Sequence, residues 1–157
     1  MTNRIIVSKQ LIAQFRKKAL VAYPKEYMAT VWGRRDAPDV FMITSIKDVA
    51  HTATGDSAKA KYDSCVMPDG SRETWLGTIH THPDSTDATP SQTDWDNSLV
   101  CGELLFGVMK VGKKPNGRLY TELRWWEPRA AITMIHPRVR EAKKPPAPVV
   151  EVSVEAQ

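Results

Sequence analysis

The spacing of hydrophobic residues near the start of the chain predicts a helix. The apolar positions fall on one helical face, at Leu11, Ile12, Phe15, Ala19 and Ala22. Ser8 precedes them as a helix N-cap, and Pro24 ends the helix near Tyr23, because the residue before a proline avoids helical backbone angles. A short strand is predicted just before this helix, at residues 5–7.

Most of the remaining chain alternates short apolar segments with turn residues, which is typical of strands. Residues 26–33 and 40–49 are predicted to form a hairpin across a turn at 34–39. The polar segment 51–72 is predicted to be a long loop, and long loops in compact domains are often functional. Further strands are predicted at 75–80, 104–111, 119–126 and 130–135. A second helix is predicted from Ser91 to about Val100.

The composition changes after Pro137, and this change sets the expected domain boundary. Residues 141–148 read Glu-Ala-Lys-Lys-Pro-Pro-Ala-Pro, and such a proline-rich stretch does not hold regular structure. We therefore expect a single domain at residues 1–137, followed by a disordered tail at residues 138–157.

The composition of the chain is that of a globular protein, and its sequence patterns argue against a membrane-spanning or secreted protein. The chain of 157 residues is 41% hydrophobic and 25% charged, as in ordinary globular proteins. It lacks both the apolar run of a membrane span and the pattern of a signal peptide. We expect a cytoplasmic protein that does not enter membranes, with Cys65 and Cys101 unpaired.

The net charge of +4 comes from basic residues scattered along the chain. A solvated surface explains this charge, so a nucleic-acid partner is not expected, although the charge by itself leaves one open.

One short motif suggests a metal site. His80 and His82 are separated by one residue in a predicted strand, so both imidazoles project to the same side. Two imidazole nitrogens in that arrangement can bind one ion. A pair of surface histidines with no metal is the alternative at this point.

Asp94 can supply a third ligand. It belongs to the run Ser91-Gln-Thr-Asp94, which also has the pattern of a helix capping box. The two interpretations are compatible, because a helix N-terminus holds both side chains rigidly. Two histidines and one aspartate leave a fourth position open on zinc, as catalytic sites do. The cytidine-deaminase signature requires His-x-Glu and Pro-Cys-x-x-Cys, and neither motif is present.

Hydrolysis at such a site also needs a base and a donor for the developing oxyanion. Glu26 begins an otherwise apolar predicted strand and is the candidate base. The Ser91 hydroxyl is the candidate oxyanion donor. Without further context, an exposed charge at the start of a strand is the simpler interpretation of Glu26.

Together these residues resemble the JAMM zinc metalloprotease domain, also called MPN+ or JAB, in its stand-alone prokaryotic or phage form. That family carries a glutamate, then His-Ser/Thr-His-Pro, then Ser-x-x-Asp. The glutamate matches Glu26 in Tyr23-Pro-Lys-Glu26, the histidines match His80 and His82, and the last pair matches Ser91 and Asp94. The resemblance covers roughly residues 8–127.

The resemblance implies a fold, a cofactor and an activity. The implied fold is a three-layer α/β/α sandwich around a mixed, mostly antiparallel sheet, similar to that of cytidine deaminases. The implied activity is hydrolysis of peptide or isopeptide bonds with one zinc ion per chain. The implied partner is a protein substrate, such as the C-terminal tail of a ubiquitin-like or sulfur-carrier protein. The sequence does not predict the oligomeric state.

Two features depart from the family pattern. Eight residues separate His82 from Ser91, where seven are common, and Tyr27, Met28 and Ala29 follow Glu26, where the family often has Cys-Gly or similar small residues. A non-catalytic scaffold of the same family and a binding module remain alternatives. The residues considered for a binding surface are the five tryptophans, Trp32, Trp75, Trp95, Trp125 and Trp126.

Overall fold

A seven-stranded mixed sheet lies at the centre of the computed structural model. The structure describes residues 4–38, 40–49, 51–53, 58–60, 73–84, 88–128 and 153–156. Its elements are β1 (Arg4–Val7), α1 (Lys9–Ala22), β2 (Met28–Ala37), β3 (Val40–Asp48), β4 (His51–Ala53), β5 (Ala58–Ala60), β6 (Thr74–Pro83), α2 (Gln92–Cys101), β7 (Leu105–Lys113), β8 (Leu119–Trp126) and β9 (Ser153–Ala156).

The strand order across this sheet is β8-β7-β6-β2-β3-β1-β9. Strands β2 and β3 form the predicted antiparallel hairpin, and β6 pairs antiparallel with β2 on one side and parallel with β7 on the other. Strand β6 therefore lies in the interior of the sheet, held by hydrogen bonds along both edges. The sheet is mixed, as expected, and β1 adds further parallel pairs with β3 and β9.

Both predicted helices are present and begin at the predicted caps. The Ser8 hydroxyl accepts a hydrogen bond of 3.1 Å from the Leu11 backbone N–H at the start of α1. Ser91 caps α2, and Gly102 ends it in a left-handed conformation with φ of 70°, which glycine adopts without steric cost. These local signals explain why the helix boundaries agree closely with the sequence prediction.

The two helices cover opposite faces of the sheet. On β7, Met109 and Val111 join the hydrophobic cluster of α1, while Phe106 and Val108 join the cluster of α2. Side chains alternate between the faces of a strand, so the two clusters lie on either side of the sheet. Trp95 packs edge-on against Phe106 within the α2 cluster. This arrangement confirms the three-layer α/β/α fold.

The boundaries of two strands, β2 and β6, differ from the prediction in ways that matter for the site. Strand β2 begins at Met28, so Glu26 lies two residues before it, and β2 continues to Ala37 through the predicted turn. Pairing with β3 extends β2, because the partner strand supplies hydrogen bonds up to Ala37↔Val40. Strand β6 continues to Pro83, so it carries both histidines.

The regions predicted to lack regular structure contain short strands. Strands β4 and β5 pair antiparallel within the predicted 51–72 loop. Strand β9, inside the predicted tail, pairs with β1; the prediction of a wholly unstructured tail is therefore wrong for these four residues. The predicted strand at 130–135 and residues 138–152 lie outside the described part. In the ranges described above, neither helix is long and apolar enough to cross a bilayer.

Gly77 allows strands β6 and β7 to approach each other closely. A Cβ atom at Gly77 would lie 1.7 Å from the Leu105 carbonyl oxygen. We expect Gly77→Ala to lower the free energy of unfolding by about 3 kcal/mol or more, since the backbone of β7 must move. Urea denaturation measures this change.

Gly117→Ala is the control for that substitution. Gly117 has φ of 85° but no atom within 4 Å of an added Cβ, so its cost comes from backbone conformation alone, about 1 kcal/mol. Equal losses of stability in the two variants would contradict a steric role for Gly77.

Candidate metal centre

Strand β6 presents two imidazoles on the face of the sheet that α2 covers. His80 lies opposite Met28 of β2 and Val108 of β7. Both histidines are buried, with 8% of His80 and 6% of His82 exposed. Their Nε2 atoms lie 3.1 Å apart. Pairing of β6 with β7 as far as Pro83, and with β2 as far as His80, thus directs both nitrogens to one point.

The first turn of α2 brings a carboxylate to the same point. Asp94 Oδ1 lies 3.3 Å from His80 Nε2, and Asp94 Oδ2 lies 3.1 Å from His82 Nε2. Asp94 Oδ2 also accepts a hydrogen bond of 2.8 Å from the Ser91 backbone N–H. The helix cap therefore orients Asp94 toward the histidines, and the capping and ligand interpretations hold together.

These three side chains fit a tetrahedral metal ion. Their ligand atoms all lie within 4.8 Å of one another, and the group is one that could hold a metal. Zinc bonds of about 2.0–2.1 Å at tetrahedral angles place neighbouring ligand atoms about 3.3–3.4 Å apart. The closest separations of 3.1–3.3 Å are near that value. Two imidazoles and a carboxylate suit zinc, but the donor set does not by itself identify the metal.

The surroundings keep Asp94 ionised. Burial by itself would raise the pKa of this carboxyl group. Hydrogen bonds from His80 and His82, the charge of His80 and the Ser91 backbone N–H outweigh burial, and they hold the pKa of Asp94 well below its ordinary value. A carboxylate that stays charged is the form that binds metal.

Glu26 lies beside the ligand strand, although it is not part of β2. The last pair of the β2–β6 ladder is Met28↔His80. One residue further on, the Thr81 N–H donates to the Tyr27 carbonyl at 2.9 Å. Continuing this register by one more residue brings Glu26 level with His82. Glu26 is buried, with 9% exposed, so it is not the exposed strand-entry charge that the sequence left open.

Ser91 lies at the outer edge of the site. Its hydroxyl accepts a hydrogen bond of 3.1 Å from the Asp94 N–H, and its side chain is exposed. Because the bond from Asp94 uses an oxygen lone pair, the Ser91 O–H proton remains available for donation. The longer spacing before Ser91 leaves the capping box with Asp94 intact.

A further buried carboxyl group is linked through Thr78 to the strand that carries the candidate histidine ligands, and sequence reasoning did not single it out. Glu103 is 5% exposed and accepts a hydrogen bond of 2.5 Å from the Thr78 hydroxyl. Thr78 precedes His80 by two residues on the same face of β6. Burial raises the pKa of Glu103, although the Thr78 and Ser98 hydroxyls and the charge of His80 act against it. No sequence pattern around Glu103 predicts that it is buried, so the sequence alone does not distinguish it from a surface glutamate.

The tryptophans do not form a binding surface. Trp32, Trp95, Trp125 and Trp126 are all buried, and Trp75 is half-buried. The Trp126 indole donates to the Ala88 carbonyl at 3.1 Å, which attaches the segment before α2 to the sheet. The tryptophan side chains therefore pack the interior.

Cys101 is a free, exposed thiol, as expected, and Cys65 lies outside the described residues.

The family model of prokaryotic homologues of the JAB domain matches residues 8–125. The chain belongs to this family. The match to the JAB family spans Glu26, both histidines, Ser91 and Asp94, so every predicted site residue lies within the JAB domain.

A solved structure shares the JAB fold. It is a JAB1/MPN domain protein from Archaeoglobus fulgidus, which is 17% identical in sequence and superposes with a TM-score of 0.50. The match covers 80% of this chain and 89% of the other. At that identity the likeness supports the fold alone. No curated protein is similar enough in sequence to count as a match.

Zinc should stabilise this JAB domain through the three ligands. We expect zinc to raise the thermal midpoint of the wild-type protein, because an ion that binds only the folded state adds about 2.7 kcal/mol at a hundredfold excess over Kd. In His80→Ala this rise should disappear. Differential scanning calorimetry with and without zinc measures the effect.

Ser91→Ala is the matched control for this prediction. It removes the helix cap, at a cost of about 0.5–2 kcal/mol, but leaves all three ligands in place. Its thermal midpoint should start lower and still rise with zinc. A rise of equal size in His80→Ala would show that zinc binds elsewhere.

Glu103 should make stability depend on pH. Because its pKa is raised in the folded state, that state holds the proton more tightly than the unfolded chain, so stability falls as pH rises through the raised pKa. Glu103→Gln keeps an acceptor for Thr78 without the charge. We expect metal-free Glu103→Gln to gain stability over wild type near about pH 8 and little near about pH 4. Urea denaturation at both pH values tests this, and a difference independent of pH would contradict it.

Proposed function

We propose that the protein is a zinc-dependent peptidase or isopeptidase. The observation that carries this proposal is the convergence of His80, His82 and Asp94 at separations that suit zinc. A buried glutamate lies level with one of these ligands. Because two neutral imidazoles and one carboxylate leave a net charge of about +1 on a bound zinc ion, the ion would act as a Lewis acid and lower the pKa of water.

Glu26 is the proposed general base and acid. Glu26 lies level with His82 in the continued β2–β6 register. This position suits proton transfer between an attacking water and the leaving amine. We propose that it accepts the proton of the water during attack and returns it to the amine nitrogen. Its buried surroundings exclude bulk water, so that the same proton can be retained between the two steps.

Ser91 is the proposed donor to the oxyanion. The Asp94 N–H hydrogen bond orients its oxygen at the N-terminus of α2, where the helix dipole also favours negative charge. A hydroxyl held this way can donate to the oxygen that becomes negative when the carbonyl is attacked. Its contribution would add to the polarising effect of a bound ion.

The proposed substrate is the C-terminal tail of a ubiquitin-like or sulfur-carrier protein, in amide linkage to an amine. This choice rests on the family resemblance. A tail that ends in glycines is extended and narrow, so it can reach histidines that are more than nine-tenths buried. The segment 51–72 and the one that joins β6 to α2 are the places where we expect substrate selection.

Glu26→Gln separates metal binding from catalysis. The substitution keeps the size of the side chain but removes its proton-transfer ability, so we expect zinc content to be unchanged and turnover to fall by about 10²–10⁴-fold. The assay follows cleavage of a panel of ubiquitin-like and diglycine-terminated conjugates, with zinc measured in the same samples.

Two results would count against the proposal. Full activity in Glu26→Gln would remove Glu26 from the mechanism. Purified protein without stoichiometric zinc, and without zinc-dependent cleavage of any conjugate, would favour the scaffold function instead.

A further inference from the structure

On the C-terminal side of Glu26, two hydrogen bonds between Tyr27 and Thr81 attach the chain to β6. The Tyr27 N–H donates to Thr81 Oγ1 at 2.8 Å, and the Thr81 N–H donates to the Tyr27 carbonyl at 2.9 Å. Thr81 is 1% exposed, so this attachment is buried. It holds the residue after Glu26 against the residue before His82.

A second attachment lies on the other side of Glu26. The Tyr23 hydroxyl donates a hydrogen bond of 2.5 Å to Asp84 Oδ2. Tyr23 precedes Glu26 by three residues, and Asp84 follows His82 by two. The two attachments therefore bracket Glu26 on one segment and His82 on the facing strand.

Both members of the second attachment are themselves held by the fold. The Tyr23 N–H donates to the Ala19 carbonyl at the end of α1, at 3.1 Å. The Asp84 N–H donates to the Val111 carbonyl of β7, at 2.8 Å. Asp84 also has φ of 47°, in the left-handed region that aspartate and asparagine tolerate better than most residues. The hydrogen bond thus joins α1 to the end of the β6–β7 pair.

We propose that Tyr23 and Asp84 form a positioning pair that sets the place of Glu26 relative to His82. The inference rests on the proposed function, since it assigns the pair a role in proton transfer by Glu26. Neither residue needs to touch the substrate. A phenol that donates to a carboxylate forms a charge-assisted bond with restricted geometry, and displacement of a reacting group by about 1 Å can cost about 10²-fold in rate.

Three substitutions isolate this hydrogen bond. Tyr23→Phe removes the hydroxyl and keeps the ring. Asp84→Gly removes the carboxylate and relaxes the left-handed backbone, because glycine adopts positive φ freely. Asp84→Asn keeps the backbone preference and an oxygen that accepts the hydrogen bond from Tyr23. It is therefore the conservative variant, and it should retain activity.

Thr121→Val is the matched control. Arg16 of α1 donates to Thr121 Oγ1 of β8 at 2.8 Å, so this variant also removes a side-chain hydrogen bond between α1 and the sheet. It lies on an edge strand that carries none of the site residues. A general loosening of α1 would affect this control as well.

Activity is the first readout, measured on the zinc-loaded enzyme. We expect Tyr23→Phe and Asp84→Gly each to lower kcat about tenfold, with KM within about twofold of wild type and zinc content unchanged. The double variant should be no slower than either single variant, because both remove the same bond. Asp84→Asn and Thr121→Val should remain within about threefold of wild type.

Amide hydrogen exchange is the second readout and does not require activity. Exchange at residues 25–28 should become faster in Tyr23→Phe and Asp84→Gly but not in Thr121→Val. Additive losses of kcat, a rise in KM with kcat preserved, or an equal loss in Thr121→Val would overturn the proposal. If wild type cleaves no conjugate, the proposed function fails, and unchanged exchange at residues 25–28 would then overturn the attachment as well.

Discussion

The Asp94 carboxylate joins the helical layer to the sheet at the point where both present polar side chains. It accepts the Ser91 N–H within the cap of α2 and faces His80 and His82 of β6. The same interaction orients the helix and gathers the three candidate ligands. Because buried polar groups are costly unless they are paired, the mutual pairing of these side chains is what allows a site inside a packed layer.

Strand β6 connects the histidines that face Asp94 to the rest of the sheet. Pairing along the edges of β6 fixes the direction of the two imidazoles, and Gly77 allows the close approach of β6 to β7. The same ladder, continued past Met28, brings Glu26 level with His82. The segment before β2 and strand β6 can thus keep Glu26 and the candidate ligands at a constant separation, as the proposed hydrolysis requires.

Local chemistry explains which parts of the fold were predictable. Both helices begin at serine caps, and β8 runs between residues 119 and 126 as predicted. The grouping of the three candidate metal ligands was also predictable, since a one-residue spacing in a strand and a three-residue spacing at a helix start each fix a direction. The start of β2 and strand β9 were not, because pairing with a distant strand decides them. Strands β4 and β5 pair with each other, but the polar segment 51–72 carries no alternating pattern that predicts them.

The sequence by itself determined the residue types of the site, their spacing and the family to which they belong. Tertiary structure decided which of them meet. More than fifty residues separate Glu26 from His82, and only the β2–β6 register makes them neighbours. Burial of Glu103 and the contact between Tyr23 and Asp84 depend likewise on how layers and strand ends pack. Such contacts form where separate elements pack together, so a local pattern of residues does not predict them.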